Sequence, residues 1–186
     1  MLIDSHCHLD RLDLKPYQGD LSLLVEAARE RGVTQIMCVS IGLDNVADVI
    51  ATAQRFPQVV AAVGLHPLDV SNGLMSGEQL AHWAQREKVV AIGETGLDYY
   101  YVPEDDLNNR AQQKESFVVH LQTGAHLGLP VIVHTRDARQ DTIALIQEYG
   151  DLNHGGVLHC FTEDWTMACK AMDLLFDLYL WNCDLS

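Results

Sequence analysis

The sequence predicts an α/β protein built on a parallel sheet, and three features carry that expectation. Strand-like and helix-like segments alternate along the chain. The strand-like segments are continuous apolar runs, as in strands covered on both faces. Histidines and acidic residues stand directly after several of those runs.

The elements follow in order. Leu2 to Ser5 is a short apolar run that turns polar. Leu21 to Arg31 has helical spacing and meets Gly32, a residue suited to a helix C-terminus. Gln35 to Val39 reads as a buried strand and Asn45 to Phe56 as a helix stopped by Pro57. Val59 to Val63 is a strand, Glu78 to Glu87 a helix, and Val89 to Ile92 a strand. Asn109 to Leu127 is a long amphipathic helix with Gly128 and Pro130 just beyond it. Val131 to Val133 is a strand, Ala138 to Tyr149 a helix, Val157-Leu158 a strand and Trp165 to Leu175 a helix. Repeated βα units build either a doubly wound sheet or a (β/α)8 barrel. A full barrel takes eight units and roughly 250 residues. The 186 residues supply six units and the start of a seventh, as one domain spanning 1–186.

Composition narrows the class. Hydrophobic residues make up 48% and charged residues 20%, the balance of a globular chain rather than a disordered one. No apolar run approaches the ~20 residues of a membrane helix. Met1-Leu2-Ile3-Asp4 shows no signal-peptide pattern, and the odd, irregularly spaced cysteines (Cys7, Cys38, Cys160, Cys169, Cys183) are expected as reduced thiols. Both features lead to a cytoplasmic expectation. The net charge of −14 argues against a general nucleic-acid coating protein. It leaves room for an enzyme on phosphodiesters whose acidic groups are offset by divalent cations, with weak, metal-dependent nucleic-acid binding.

The chemistry lies at the strand ends. His6-Cys7-His8, Gly64-Leu65-His66-Pro67, Gly93-Glu94-Thr95-Gly96, His134-Thr135-Arg136-Asp137 and His159-Cys160-Phe161 each follow an apolar run. In a parallel barrel those ends converge on one face. His6 and His8 are two apart on a strand, so both side chains are expected to face one cation. Alone, such a pair is more often just polar; Glu94, His134 and His159 at matching places change the balance. Imidazole and carboxylate ligands suit Zn²⁺, Mn²⁺ or similar ions. Four histidines and one glutamate exceed the needs of one tetrahedral ion and fit two ions bridged by Glu94, one with His6 and His8 and the other with His134 and His159. Two such metals suit phosphodiester hydrolysis, activating a water and neutralising transition-state charge. Arg136 is a candidate phosphate grip, at even weight with a surface arginine. His66 is a candidate for contacting phosphate or protonating the leaving group, slightly ahead of a packed histidine. Asp98 and Tyr99 stand evenly between lining the pocket and ordinary loop packing. His82, His120, His126 and His154 read as surface or core histidines, and Trp83 and Trp165 as packing residues.

At these motifs the sequence resembles the TatD family of metal-dependent deoxyribonucleases, within the amidohydrolase-like barrel superfamily. The carrying segments are Asp4 to Asp10, Gly64 to Pro67, Gly93 to Tyr101, Pro130 to Ala138 and Gly156 to Thr162, in order at the strand ends. The resemblance runs to about Phe176 and looks closest to a bacterial branch of TatD-like hydrolases. It implies an incomplete TIM (β/α)8-type barrel and a site of two divalent ions (Mg²⁺, Mn²⁺ or Zn²⁺) held by His6, His8, Glu94, His134 and His159. It also implies activity on DNA, single-stranded or at ends. The family's further metal-binding aspartate, after the eighth strand, has no counterpart among these residues. The tail Trp181-Asn182-Cys183-Asp184-Leu185-Ser186 departs from the family's seventh strand. Written in suitable codons and shifted by one base, it reads Gly-Ile-Val-Thr-Phe, as that strand does, so residues 181–186 are expected to be frameshifted. Ligand spacing alone leaves an amidohydrolase or lactonase open. The lacking aspartate leaves open a metal-binding remnant without activity.

Overall fold

The computed structural model describes residues 1–179. It forms one seven-stranded sheet in the order β1-β2-β3-β4-β5-β6-β7, with every neighbouring pair parallel. The strands are β1 (Leu2–Cys7), β2 (Val33–Val39), β3 (Val59–Val63), β4 (Val89–Asp98), β5 (Val131–Arg136), β6 (Gly156–His159) and β7 (Phe176–Leu178). Helices α1 (Leu21–Glu30), α2 (Val46–Arg55), α3 (Gly77–Ala84), α4 (Leu107–Leu127), α5 (Arg139–Tyr149) and α6 (Trp165–Asp173) make the crossovers. Consecutive order with a helix in each connection is barrel topology, not the reversing order of a doubly wound sheet. The sheet is a curled, open barrel. Among the described residues, β1 and β7 have one neighbour each.

Local chemistry sets the helix ends. Asp20, Ser76, Asp106 and Asp164 accept backbone N–H bonds at the starts of α1, α3, α4 and α6, and Ser76 with Gln79 completes a capping box. Gly128 closes α4 in the left-handed conformation, φ +65°. Val39, Ala62 and Ala91 lie side by side in register and, with Ile132, form a small buried cluster separate from the two larger ones packed under the helices.

Two expectations change. Strand β4 does not stop at Ile92 but runs on through Gly-Glu-Thr-Gly-Leu-Asp to Asp98, buried from Ala91 onward. Pairing with β5, after a register shift between Ile92 and Thr95, satisfies a backbone whose side chains are too polar to announce a strand. Gly96 permits this: a Cβ there would collide with the His134 carbonyl. The seventh strand is Phe176–Leu178, placed by pairing with β6 and earlier in the chain than expected. The expected frameshifted stub at 181–186 lies outside the described residues. No described helix is long and apolar enough to cross a membrane.

Candidate metal centre

The five strand ends do converge. Glu94, on β4, is 3% exposed and is the hub. Its Oε2 lies 3.2 Å from His6 Nε2. Its Oε1 lies 3.4 Å from His134 Nδ1 and 3.9 Å from His66 Nε2. Two ligand-like groups result, His6–Glu94–His159 and His66–Glu94–His134, with donor atoms within 4.8 Å of one another in each.

The grouping differs from the sequence expectation in three ways. His159 sits with His6, the rings stacked at 3.5 Å, rather than with His134. His66 joins His134, their nitrogens 3.3 Å apart, rather than standing off as an acid. His8 falls outside both groups. Its Nδ1 donates to the Val39 carbonyl at 2.9 Å, and its ring meets His6 edge-on at 5.1 Å. Strand β1 ends at Cys7, and register slips between Asp4 and Cys7, so simple two-residue alternation does not hold across His6 and His8.

Asp98 is fully buried and ties the second group together. Its Oδ2 accepts from His134 Nε2 at 2.9 Å, and its Oδ1 accepts from the backbone N–H groups of Tyr100 and Tyr101, both at 3.1 Å. The first bond leaves His134 Nδ1 to face Glu94 and His66. Two side chains from α4 stand behind this. Gln113 accepts from the Asp98 N–H and donates to its carbonyl. His120 donates from Nδ1 to the Ser116 carbonyl and accepts the Leu65 N–H at Nε2, fixing the chain just before His66. The sequence reading of His120 as a surface or core histidine fits its buried place, without its bond to the Leu65 N–H, and Gln113 was passed over. The available signal was polar residues seven apart on the face of α4 that a buried helix turns inward.

Electrostatics match a cation site. Burial alone would raise the Glu94 pKa, but the close approach of His134 and His6 to its two oxygens and the neighbouring His66 hold it well below the usual range. Burial pushes His66 down to about 4, and burial together with the neighbouring His6 takes His159 to about 4. Both are neutral near pH 7, the form that binds metal and not the form that protonates a leaving group. His134 goes the other way: burial lowers it, but Asp98 and Glu94 outweigh burial and lift it to about 9, so it is charged near pH 7 and a cation there must displace its Nδ1 proton. Both ring nitrogens of His6 are buried without a hydrogen-bond partner, its approach to Glu94 being unaligned for one. A buried donor pair left so is costly unless something else takes it. These residues fit divalent cations. Arg136 stands two residues beyond His134 and in register with Asp98, its guanidinium over the Tyr100 ring at 3.9 Å.

Comparison with known proteins agrees with the geometry. The chain is 45% identical over 175 residues to the uncharacterized metal-dependent hydrolase YcfH of Escherichia coli (strain K12), covering 94% of this chain and 64% of that protein. It is 32% identical to a 3'-5' ssDNA/RNA exonuclease TatD of Cronobacter turicensis, covering 90% and 64%. The crystal structure of YJJV, a TatD homolog from Escherichia coli K12, superposes with a TM-score of 0.82 at 31% identity over 95% of this chain and 66% of that one. The chain thus spans 64% of the length of the curated relatives first matched. The sequence profile of TatD related DNase matches residues 3–180, and with the barrel and the Glu94-centred histidines already in view, the chain belongs to that family.

Proposed function

We propose that the protein these residues belong to is a metal-dependent phosphodiesterase acting on single-stranded nucleic acid or strand ends. The observation that carries it is one buried carboxylate, Glu94, facing a histidine pair with each of its oxygens. His6 and His159 with Glu94 would hold one divalent ion, with His8 beside them, and His66 and His134 with Glu94 a second. Such ions would supply Lewis acidity and offset phosphate charge. Asp98 keeps the Nε2 proton of His134 in place, so the proton a cation would displace is the one on Nδ1, the nitrogen that faces Glu94. Arg136 meets a phosphate oxygen. The activity named for the Cronobacter relative supports a nucleic-acid substrate.

The test is calorimetric titration with Mn²⁺ or Zn²⁺, alongside hydrolysis of bis(4-nitrophenyl) phosphate and of single- and double-stranded oligonucleotides. Two ions per chain, lost together in Glu94→Gln, are expected. Metal-loaded protein that cleaves lactones or amides but no phosphodiester would overturn the reading.

A further inference from the structure

Three consecutive tyrosines follow Asp98, and the structure treats them differently. Tyr99 is partly buried, its hydroxyl donating to Asp141 at 2.7 Å and its ring under the Arg110 guanidinium. Tyr100 and Tyr101 stand out from the surface, 57% and 60% exposed, with their rings edge-to-face at 4.9 Å. Arg136 lies across both, 3.9 Å from the Tyr100 centroid and 4.9 Å from that of Tyr101, and donates to the Tyr101 hydroxyl at 3.2 Å. Two adjacent aromatic rings left in water, with a cation laid over them, form a polarised and preorganised surface.

Its place is set by the metal centre. One oxygen of Asp98 accepts the backbone N–H groups of Tyr100 and Tyr101, and the other accepts His134 Nε2. Arg136 pairs in register with Asp98 across β4 and β5, two residues after His134. The aromatic pair is thus held to the candidate site through a single buried carboxylate. In a chain of net charge −14, a half-buried arginine laid on tyrosines beside a phosphate-directed centre is a selective cation, not part of a general basic coat.

We infer that Tyr100, Tyr101 and Arg136 form a stacking platform for an unpaired nucleobase next to the phosphate bound at the metal centre. The inference rests on the proposed phosphodiesterase reading and adds where the base goes. Stacking on aromatic side chains takes any base, because each has a π-face, but requires it to be out of the duplex. The platform therefore selects single strands and ends without reading sequence.

The experiment is fluorescence anisotropy of the chain with a short labelled oligodeoxynucleotide and with its abasic sugar-phosphate counterpart, each with and without Mn²⁺. The abasic strand reports phosphate binding at the metals, and the excess affinity of the base-bearing strand reports the platform. Wild-type protein is expected to bind the base-bearing strand roughly 5- to 150-fold more tightly, the range of one stacked base. The double variant Y100A/Y101A should lose that excess and bind both strands alike. Y100F/Y101F, which keeps the rings, should retain most of it. Equal wild-type affinity for the two strands overturns the platform and leaves the phosphodiesterase reading standing. So does an excess that survives in Y100A/Y101A. An excess that depends on the tyrosines but not on Mn²⁺ keeps the platform and removes the metal-centred reading. No binding of either strand overturns both.

Discussion

The two histidine pairs share Glu94 yet are held in different ways. His134 sits on β5 and His66 in the loop just beyond β3, and both are backed by polar groups: Asp98 on His134, Gln113 on Asp98, and His120 behind Leu65. Among the described residues His6 and His159 have no such polar frame, though His159 also stacks on Tyr179 at 5.7 Å. They stack on each other at 3.5 Å, and His6 rides on β1, a strand with one neighbour whose Leu2 and Ile3 are 59% and 58% exposed. The difference follows strand position. The long helix α4 covers β4 and supplies hydrogen-bonding side chains to β4 and to the loop after β3, whereas among the described residues no such helix backs β1. Polar support, like apolar burial, is densest at the centre of the sheet.

The strongest way to break the comparison is through the residue the pairs share. Glu94→Gln should cost both pairs more than the ~10–100-fold typical of an outer partner, because it removes a carboxylate facing both. Titration with Mn²⁺ that shows one pair retaining wild-type affinity would mean that Glu94 serves only the other.

The frame behind His66 can be probed by pH. Burial, despite the bond to Ser116, pushes His120 down to about 4 from an ordinary 6.5. Between those values the unfolded chain binds a proton that the folded chain does not. Stability is therefore full above pH 6.5 and falls as pH drops toward 4. A displacement of that size corresponds to ~3 kcal/mol. His120→Asn should be less stable at pH 7 and show a flatter decline between pH 6.5 and 4 in denaturant titrations. A slope equal to wild type would place the acid sensitivity elsewhere.

Asp98→Asn should separate the pairs. Affinity at His66–His134 should fall ~10–100-fold, as for other groups that orient a ligating histidine, while His6–His159 is unchanged. Equal weakening of both would show that the two pairs are one mechanical unit.

The smallest effect is expected at the open edge. Residues 1–186 expressed alone should self-associate through β1, whose exposed apolar start lacks the charge or proline that usually blunts an edge. Ile3→Lys should shift sedimentation toward monomer while leaving metal binding intact. Unchanged association would assign the contact to another surface.

Much of this was legible locally. Val59–Val63 was read with its observed bounds, and α2 and α5 within a residue at their ends, since segments closed by breakers such as Pro57 after α2 and Gly150 after α5 are local signals. Strand β4 was cut short, as Gly-Glu-Thr-Gly has no apolar run, and only burial between β3 and β5 makes it a strand. His66, Glu94, His134 and His159 were legible as residues placed after strands. Asp98 stood at even odds because its value depends on a histidine 36 positions away.

The sequence by itself determined the succession of βα units, the parallel sheet and the set of side chains delivered to one end of it. Each rests on interactions within a few residues, namely periodicity, caps and breakers. Only the tertiary structure decided the partners: His159 on His6, His66 against His134, His8 turned to the Val39 carbonyl, and Asp98 clasping both His134 and the tyrosine amides. Those choices depend on strand register and on the curl of the sheet, which bring together groups far apart in the chain.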